Sequence, residues 1–105
     1  MLKLGRKIGQ CVMITDHIQV IVENVGRDIQ TRHAFAVLKV LARGESPAYY
    51  TLNEGEGVHV CDHTEVIFIK LEGQALLGFE APKNIAIDRL EVHLRKKEKS
   101  DSPNQ

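Results

Sequence analysis

Along much of the chain apolar side chains alternate with polar ones, a period of two that belongs to half-buried strands. Val12 and Ile14, then Ile18, Val20 and Val22, alternate on either side of Asp16-His17, which predicts a strand, a tight turn and a second strand. Glu65 to Leu71 is apolar on both faces and predicts a central strand. Ala75 to Phe79 follows across a Glu72-Gly73 turn, and Ile85 with Ile87 form a short strand after Pro82. Two segments carry a helical period instead. Asp88-Arg89-Leu90-Glu91 reads as a capping box opening a helix at Asp88, with Leu90 and Leu94 on one face and a Lys/Arg-rich end that suits the helix dipole. Ala34 to Arg43 also separates into two helical faces, with Gly44 as a stop.

The chain also resembles itself. Gly9 to Ile21 aligns without a gap on Gly55 to Ile67, both reading G-x-x-V-x-x-x-D-H-x-x-V-I, at a spacing of 55 − 9 = 46 residues. Relaxing the spacing to 44 further on sets Phe35 against Phe79, Lys39 against Lys83 and Ala42 against Ala86. This repeat makes 34–43 a strand, so helix and strand both stand for that segment. The expected organisation is one domain over residues 1–99, with a first copy over about 1–45, a second over about 47–99, and an apolar-free disordered tail from Ser100 to Gln105.

A length of 105 residues argues against two independent folds, and 43% hydrophobic with 27% charged residues is ordinary globular composition. The longest apolar run, Ala34 to Leu38, is far short of a membrane span, and no secretory signal opens the chain, so a soluble cytoplasmic protein is expected. Net charge is zero but unevenly spread. Lys3, Arg6 and Lys7 stand near the start without an acid, and Arg89, Arg95, Lys96, Lys97 and Lys99 crowd the end. Residues 44–73 hold Glu45, Glu54, Glu56, Asp62, Glu65 and Glu72 against Lys70 alone. If folding brings the termini together, they form one positive patch on a locally acidic body.

Little here points to catalysis. No nucleophile elbow or phosphate loop is present and the acids are scattered, so the chain reads as a binding protein rather than an enzyme. Two cysteines, Cys11 and Cys61, are expected to be free thiols. His59, Cys61 and His63 would share a face on a continuous strand and suit zinc or copper, but the Asp62-His63 turn breaks the alternation and no fourth ligand is evident. No metal or other cofactor is therefore expected. Arg89, read as the first helical residue, opposes the dipole there, and an Arg fork beside free helix amides suits phosphate or a guanine edge. The plainer alternative pairs Arg89 with Asp88 or Glu91.

Two blocks carry a resemblance to a known family. Met1-Leu2-Lys3-Leu4-Gly5-Arg6-Lys7-Ile8-Gly9-Gln10 resembles the M-L-I-L-T-R-R-x-G-E opening of the carbon storage regulator (CsrA) family. The segment Gly78 to Val92 resembles that family's closing G-V-x-A-P-K-x-V-x-V-H-R-x-E-I. The resemblance implies a mostly β, CsrA-like barrel or sandwich with a C-terminal helix. It also implies an RNA-binding post-transcriptional regulator, a repressor or activator of translation, that takes GGA-bearing hairpin loops in mRNA leaders or small regulatory RNAs; DNA and membranes are not implied. Carried over, Leu4, Arg6 and Lys7 are first-strand RNA contacts, Ala81, Pro82 and Ile87 lie near the bases, and Arg89 is the central contact. Lys7 for Arg, Lys3 for an apolar residue, Gly5 for Thr and Asp88 for His depart from the pattern.

Family members are interlocked homodimers in which the first strand of one subunit lies beside the last strand of the other. Under the repeat, Leu52 and Asn53 stand where Arg6 and Lys7 stand, Leu38 opposes Pro82 and Glu45 opposes Arg89. A single-chain pseudo-dimer with one intact RNA site follows. The rival is a homodimer with about 40 inserted central residues and two sites. A different functional reading makes the chain a diverged protein-interaction module that pairs with, or sequesters, a CsrA-type regulator or its partner.

Overall fold

The computed structural model describes the backbone of residues 1–100 and the side chains of residues 1–96. Among the described residues nine strands precede one helix: β1 (Leu2–Arg6), β2 (Cys11–Ile14), β3 (Ile18–Arg27), β4 (Ala34–Ala42), β5 (Ala48–Asn53), β6 (Gly57–Cys61), β7 (Thr64–Leu71), β8 (Ala75–Glu80), β9 (Ile87–Arg89) and α1 (Leu90–Ser100). They form two antiparallel sheets, one ordered β1-β8-β7-β6 and the other β5-β4-β3-β2-β9. The mostly β reading and the C-terminal helix are therefore correct. Alternation puts Val12, Ile14, Val20, Val22, Ala36 and Leu38 of one sheet, and Val66, Phe68, Leu77 and Phe79 of the other, in one shared core. At about 1.5–3 kcal/mol per fully buried large aliphatic or aromatic side chain, this interior holds the sheets together.

Several expectations need correction. Ala34–Ala42 is strand β4, not helix, because its register places Ala34, Ala36, Leu38 and Val40 on the core face at a period of two, and the neighbouring strands β3 and β5 supply partners on both sides. The C-terminal helix starts at Leu90 rather than Asp88, since Ile87, Asp88 and Arg89 are drawn into a ladder with β2. Ile85 lies outside that strand. Ser100 closes α1, and the rest of the expected disordered tail, 101–105, lies outside the described residues.

The strand order alternates between the two halves of the chain. The meander β2-β3-β4 is flanked by β5 and β9 from later in the sequence, while β6-β7-β8 is flanked on one side by β1 from the start. The backbone details recur at the spacing of 46. Gly9 N–H donates to Val22 O at 2.8 Å and Gly55 N–H to Phe68 O at 2.7 Å. Lys7 N–H donates to Gln10 Oε1 at 2.9 Å and Asn53 N–H to Glu56 Oε1 at 2.7 Å. The turns pivot on left-handed glycines, Gly9 at φ 88° and Gly55 at φ 87°. A register shift falls between Val22 and Asn24 in β3, and between Phe68 and Lys70 in β7.

Beyond the bulges the spacing is 39, not 44. Val22 pairs with Leu38 where Phe68 pairs with Leu77, and Val20 pairs with Val40 where Val66 pairs with Phe79. Phe35 therefore does not match Phe79, Leu38 matches Leu77 rather than Pro82, and the apparent match at 44 was shared composition. The spacing shrinks by 46 − 39 = 7 because residues 28–33 make a turn three residues longer than residues 72–74, and because β3 and β4 each run two residues further past the matched pair than β7 and β8 do. Glu45 has no strand around it to set opposite Arg89: the chain passes from β4 through Arg43 to Pro47 directly into β5.

Candidate nucleic-acid interface

β1 is an edge strand whose Leu2, Lys3, Leu4, Gly5 and Arg6 face Phe79, Gly78, Leu77, Leu76 and Ala75 of β8. Leu4 packs against the core and Lys3 stays exposed. At Gly5 the bare Cα lies under the Gln74 side chain, whose amide end would have to move aside for a Cβ. At the opposite edge of the other sheet, β9 lies antiparallel on β2, with Ile87 beside Ile14 and Arg89 beside Val12. Thr15 N–H donates to Ala86 O at 2.8 Å and extends that ladder.

The two edge strands belong to different sheets and are joined by side chains. Arg6 is 6% exposed. Its guanidinium donates to Gly5 O at 2.9 Å, to Cys11 O at 3.3 Å and to Glu91 Oε1 at 3.1 Å. Arg89, with a half-exposed side chain, approaches the same Glu91 oxygen at 4.0 Å. Glu91 in the first turn of α1 is thus the carboxylate on which cations from the two ends of the chain converge, and the helix dipole favours an acid in that turn. Asp88 does not cap the helix; it accepts from Lys96 Nζ at 3.0 Å, which offsets the negative charge at this departure from the family pattern. His93 Nε2 lies 2.9 Å from Asp16 Oδ1 and ties α1 to the β2–β3 turn.

A groove of about 230 Å³ is lined by Leu2, Phe79, Glu80, Ala81, Pro82, Lys83 and Ile87, and Ile87 stands in the same short strand as Arg89. It gathers three of the expected residues, Ala81, Pro82 and Ile87, together with Leu2 and Phe79, and carries one acid, Glu80, beside one lysine, Lys83. Leu4 and Arg6 belong to β1, with Leu4 turned to the core and Arg6 held internally, so neither offers a free tip. Lys7 is exposed just after β1, and Arg89 is exposed at the end of β9. Leu2 and Lys83, which line the groove, and Glu91, which bonds to Arg6 and lies within ion-pair reach of Arg89, were missed as site residues. The A-P-K and R-x-E elements contained the last two, but only side-chain placement distinguishes a groove wall or an organising carboxylate from surface charge. The other cluster, Cys61 with His63 at 3.3 Å and His63 with Thr64 Oγ1 at 2.6 Å, is a local turn contact.

No protein-family model matches the chain, and no solved structure matches it. One curated relative does: the translational regulator CsrA of Exiguobacterium sp. (strain ATCC BAA-1283 / AT1b) is 36% identical over 50 residues, covering 47% of this chain and 67% of the relative. The chain belongs to the CsrA family. The two antiparallel sheets and the short C-terminal helix are consistent with a CsrA-like fold. No helix among the described residues is long and apolar enough to cross a membrane.

Proposed function

We propose that this CsrA-family chain is a post-transcriptional regulator that binds GGA-bearing RNA hairpin loops, and that it does so as a single-chain pseudo-dimer with one composite site. It acts by binding, since occupying a messenger leader is enough to alter ribosome access. The observation that carries the reading is the meeting of Arg6 from β1 and Arg89 from β9 at Glu91, with Ile87 of the same strand β9 lining the groove that holds Ala81 and Pro82. The reciprocal flanking of β4 by β5 and of β8 by β1, in matching registers, supports two copies packed as a dimer would pack them. So does the building of the central residues into both sheets as β4, β5 and β6, where an inserted subdomain would stand apart.

In this reading Arg6 is a positioning residue. It fixes Glu91, and Glu91 holds the Arg89 fork near the groove until a guanine edge or phosphate replaces it. Arg89, Lys7 and Lys83 supply charge, and Ala81, Pro82 and Ile87 supply apolar contact to unstacked bases. Arg89→Ala is expected to weaken binding of a GGA hairpin by about 1–3 kcal/mol. Affinity should fall with salt by about 0.7 log units per phosphate contact. An unchanged affinity in a filter-binding titration of Arg89→Ala overturns the site. Solution mass discriminates stoichiometry: a species near 11.8 kDa that takes one hairpin fits the fused form, and twice that mass with two hairpins fits the rival homodimer.

A second reading, a protein-interaction module, is favoured by one feature: both arginines already have a carboxylate partner in Glu91. Equal binding of a GGA hairpin and a scrambled one would select it.

A further inference from the structure

The two sheets end differently at positions that otherwise correspond. β2 carries β9 on its outer side, through Val12, Met13 and Ile14. Among the described residues, the corresponding residues of β6, Val58, His59 and Val60, border β7 alone, and β6 is the last strand of its sheet. Met13 and Thr15 point their backbone groups at β9, as the Thr15 N–H to Ala86 O bond shows. By the same alternation His59 points its N–H and C=O outward, where no strand among the described residues lies. Beside it opens a cleft of about 500 Å³, bounded by Ile18, Ala42 and Arg43 on one side and Val60, Cys61 and Asp62 on the other. On the filled side, Ile14 and Thr15 correspond to Val60 and Cys61, and there the segment leading into β9 runs past them. Cleft and edge together are the place of a strand with its leading segment.

We propose that this edge accepts an extended, positively charged segment of another polypeptide as an added antiparallel strand, its leading residues lying in the cleft. Backbone pairing supplies the ladder, and charge selects the occupant. Glu45 and Asp62 line the cleft with Arg43 and His17, and the Glu65 carboxylate lies over Gly57 at the edge itself. A second copy meeting this edge with its own would set these acids against their like, so a basic partner fits and self-pairing does not. The register shift between His59 and Cys61 bends the far end of β6 and confines the ladder to the stretch around Gly57–His59. The lack of a blunting lysine or proline in β6 leaves that stretch open.

The test uses the full chain and a labelled synthetic peptide with the sequence of residues 82–99, which carries the strand that fills the corresponding edge and is net basic. Saturable binding at one peptide per chain is expected, with at least tenfold slower exchange of the His59 amide. N-methylation of the peptide at its Asp88 amide should weaken binding at least tenfold without altering the protein, and His59→Pro should do the same from the other side. Charge reversal by Asp62→Lys with Glu65→Lys should weaken it at least fivefold. RNA affinity should be unchanged in His59→Pro, which separates failure here from failure of the RNA reading. No saturable binding, binding indifferent to N-methylation, or protection at Met13 instead of His59 overturns the proposal. A concentration-dependent dimer that His59→Pro abolishes also overturns it, by giving the edge to a second copy.

Discussion

The outer edges of β2 and β6 are built from the same sequence pattern and fold to different degrees of closure. β2 lies under β9, and Cys11, Val12 and Ile14 are buried; in β6, Val58, Val60 and Cys61 reach only half-burial and His59 is exposed. The comparison teaches that burial at these positions is conferred by the flanking strand and helix rather than by the alternating pattern itself. It also ties functional asymmetry to a missing element: only the edge that has β9 also has Arg89, Glu91 and the contacts to Arg6.

The sharpest way to break the comparison is truncation at corresponding core positions. Ile14→Ala, at a fully buried site, should cost about 2–5 kcal/mol in urea unfolding, and Val60→Ala, half-exposed, clearly less. Equal losses would mean that β9 adds nothing to the packing beneath it. Next in size is Arg6→Leu, which installs the residue found at the corresponding Leu52. It removes the hydrogen bonds to Cys11 O and Glu91 but leaves an apolar group in a buried slot, so stability should change by about 1–2 kcal/mol. GGA-hairpin affinity should drop as well, because Glu91 is then left to pair with Arg89 alone. A stability change with unaltered RNA affinity would remove Arg6 from its positioning role.

Smaller effects sharpen the likeness. Gly9→Ala and Gly55→Ala force a Cβ into a left-handed turn with open space around it, so each should cost about 1 kcal/mol and the two should agree. The smallest effect lies in the long turn that only the first meander has. There Asp28 accepts from the N–H groups of Thr31 and Gln30, and these bonds hold its carboxyl below the ordinary carboxylate value. The contribution is present above the unfolded-state pKa and is lost as pH falls through the lowered folded value. Asp28→Asn should flatten that acid-limb slope slightly, as read by thermal unfolding across pH.

Much of this was legible beforehand. The period of two identified β2, β3, β7 and β8, and the glycine-anchored repeat fixed corresponding turns to the residue, because a left-handed glycine and a strand period are local requirements. The segment 34–42 was ambiguous because five consecutive apolar residues satisfy helix and strand alike; the strands on both sides of it decided the matter. The second spacing was misjudged because a phenylalanine match says nothing about how many residues a turn absorbs. Among site residues, Ala81, Pro82, Ile87 and Arg89 fall at the groove or the junction, whereas Arg6 is spent on internal bonds, a distinction that depends on the Glu91 side chain more than 80 residues away.

By itself the order of amino acids determined which segments extend, where they turn and which of their faces avoid water, since each of these follows from neighbours within a few positions. Tertiary structure alone decided that β1 and β9 sit on different sheets yet share a carboxylate, that 34–42 is a strand, and that no strand among the described residues flanks the outer side of β6. Those outcomes depend on which distant backbone competes for each edge, and hydrogen-bonding groups at an edge are alike whatever side chains the strand carries.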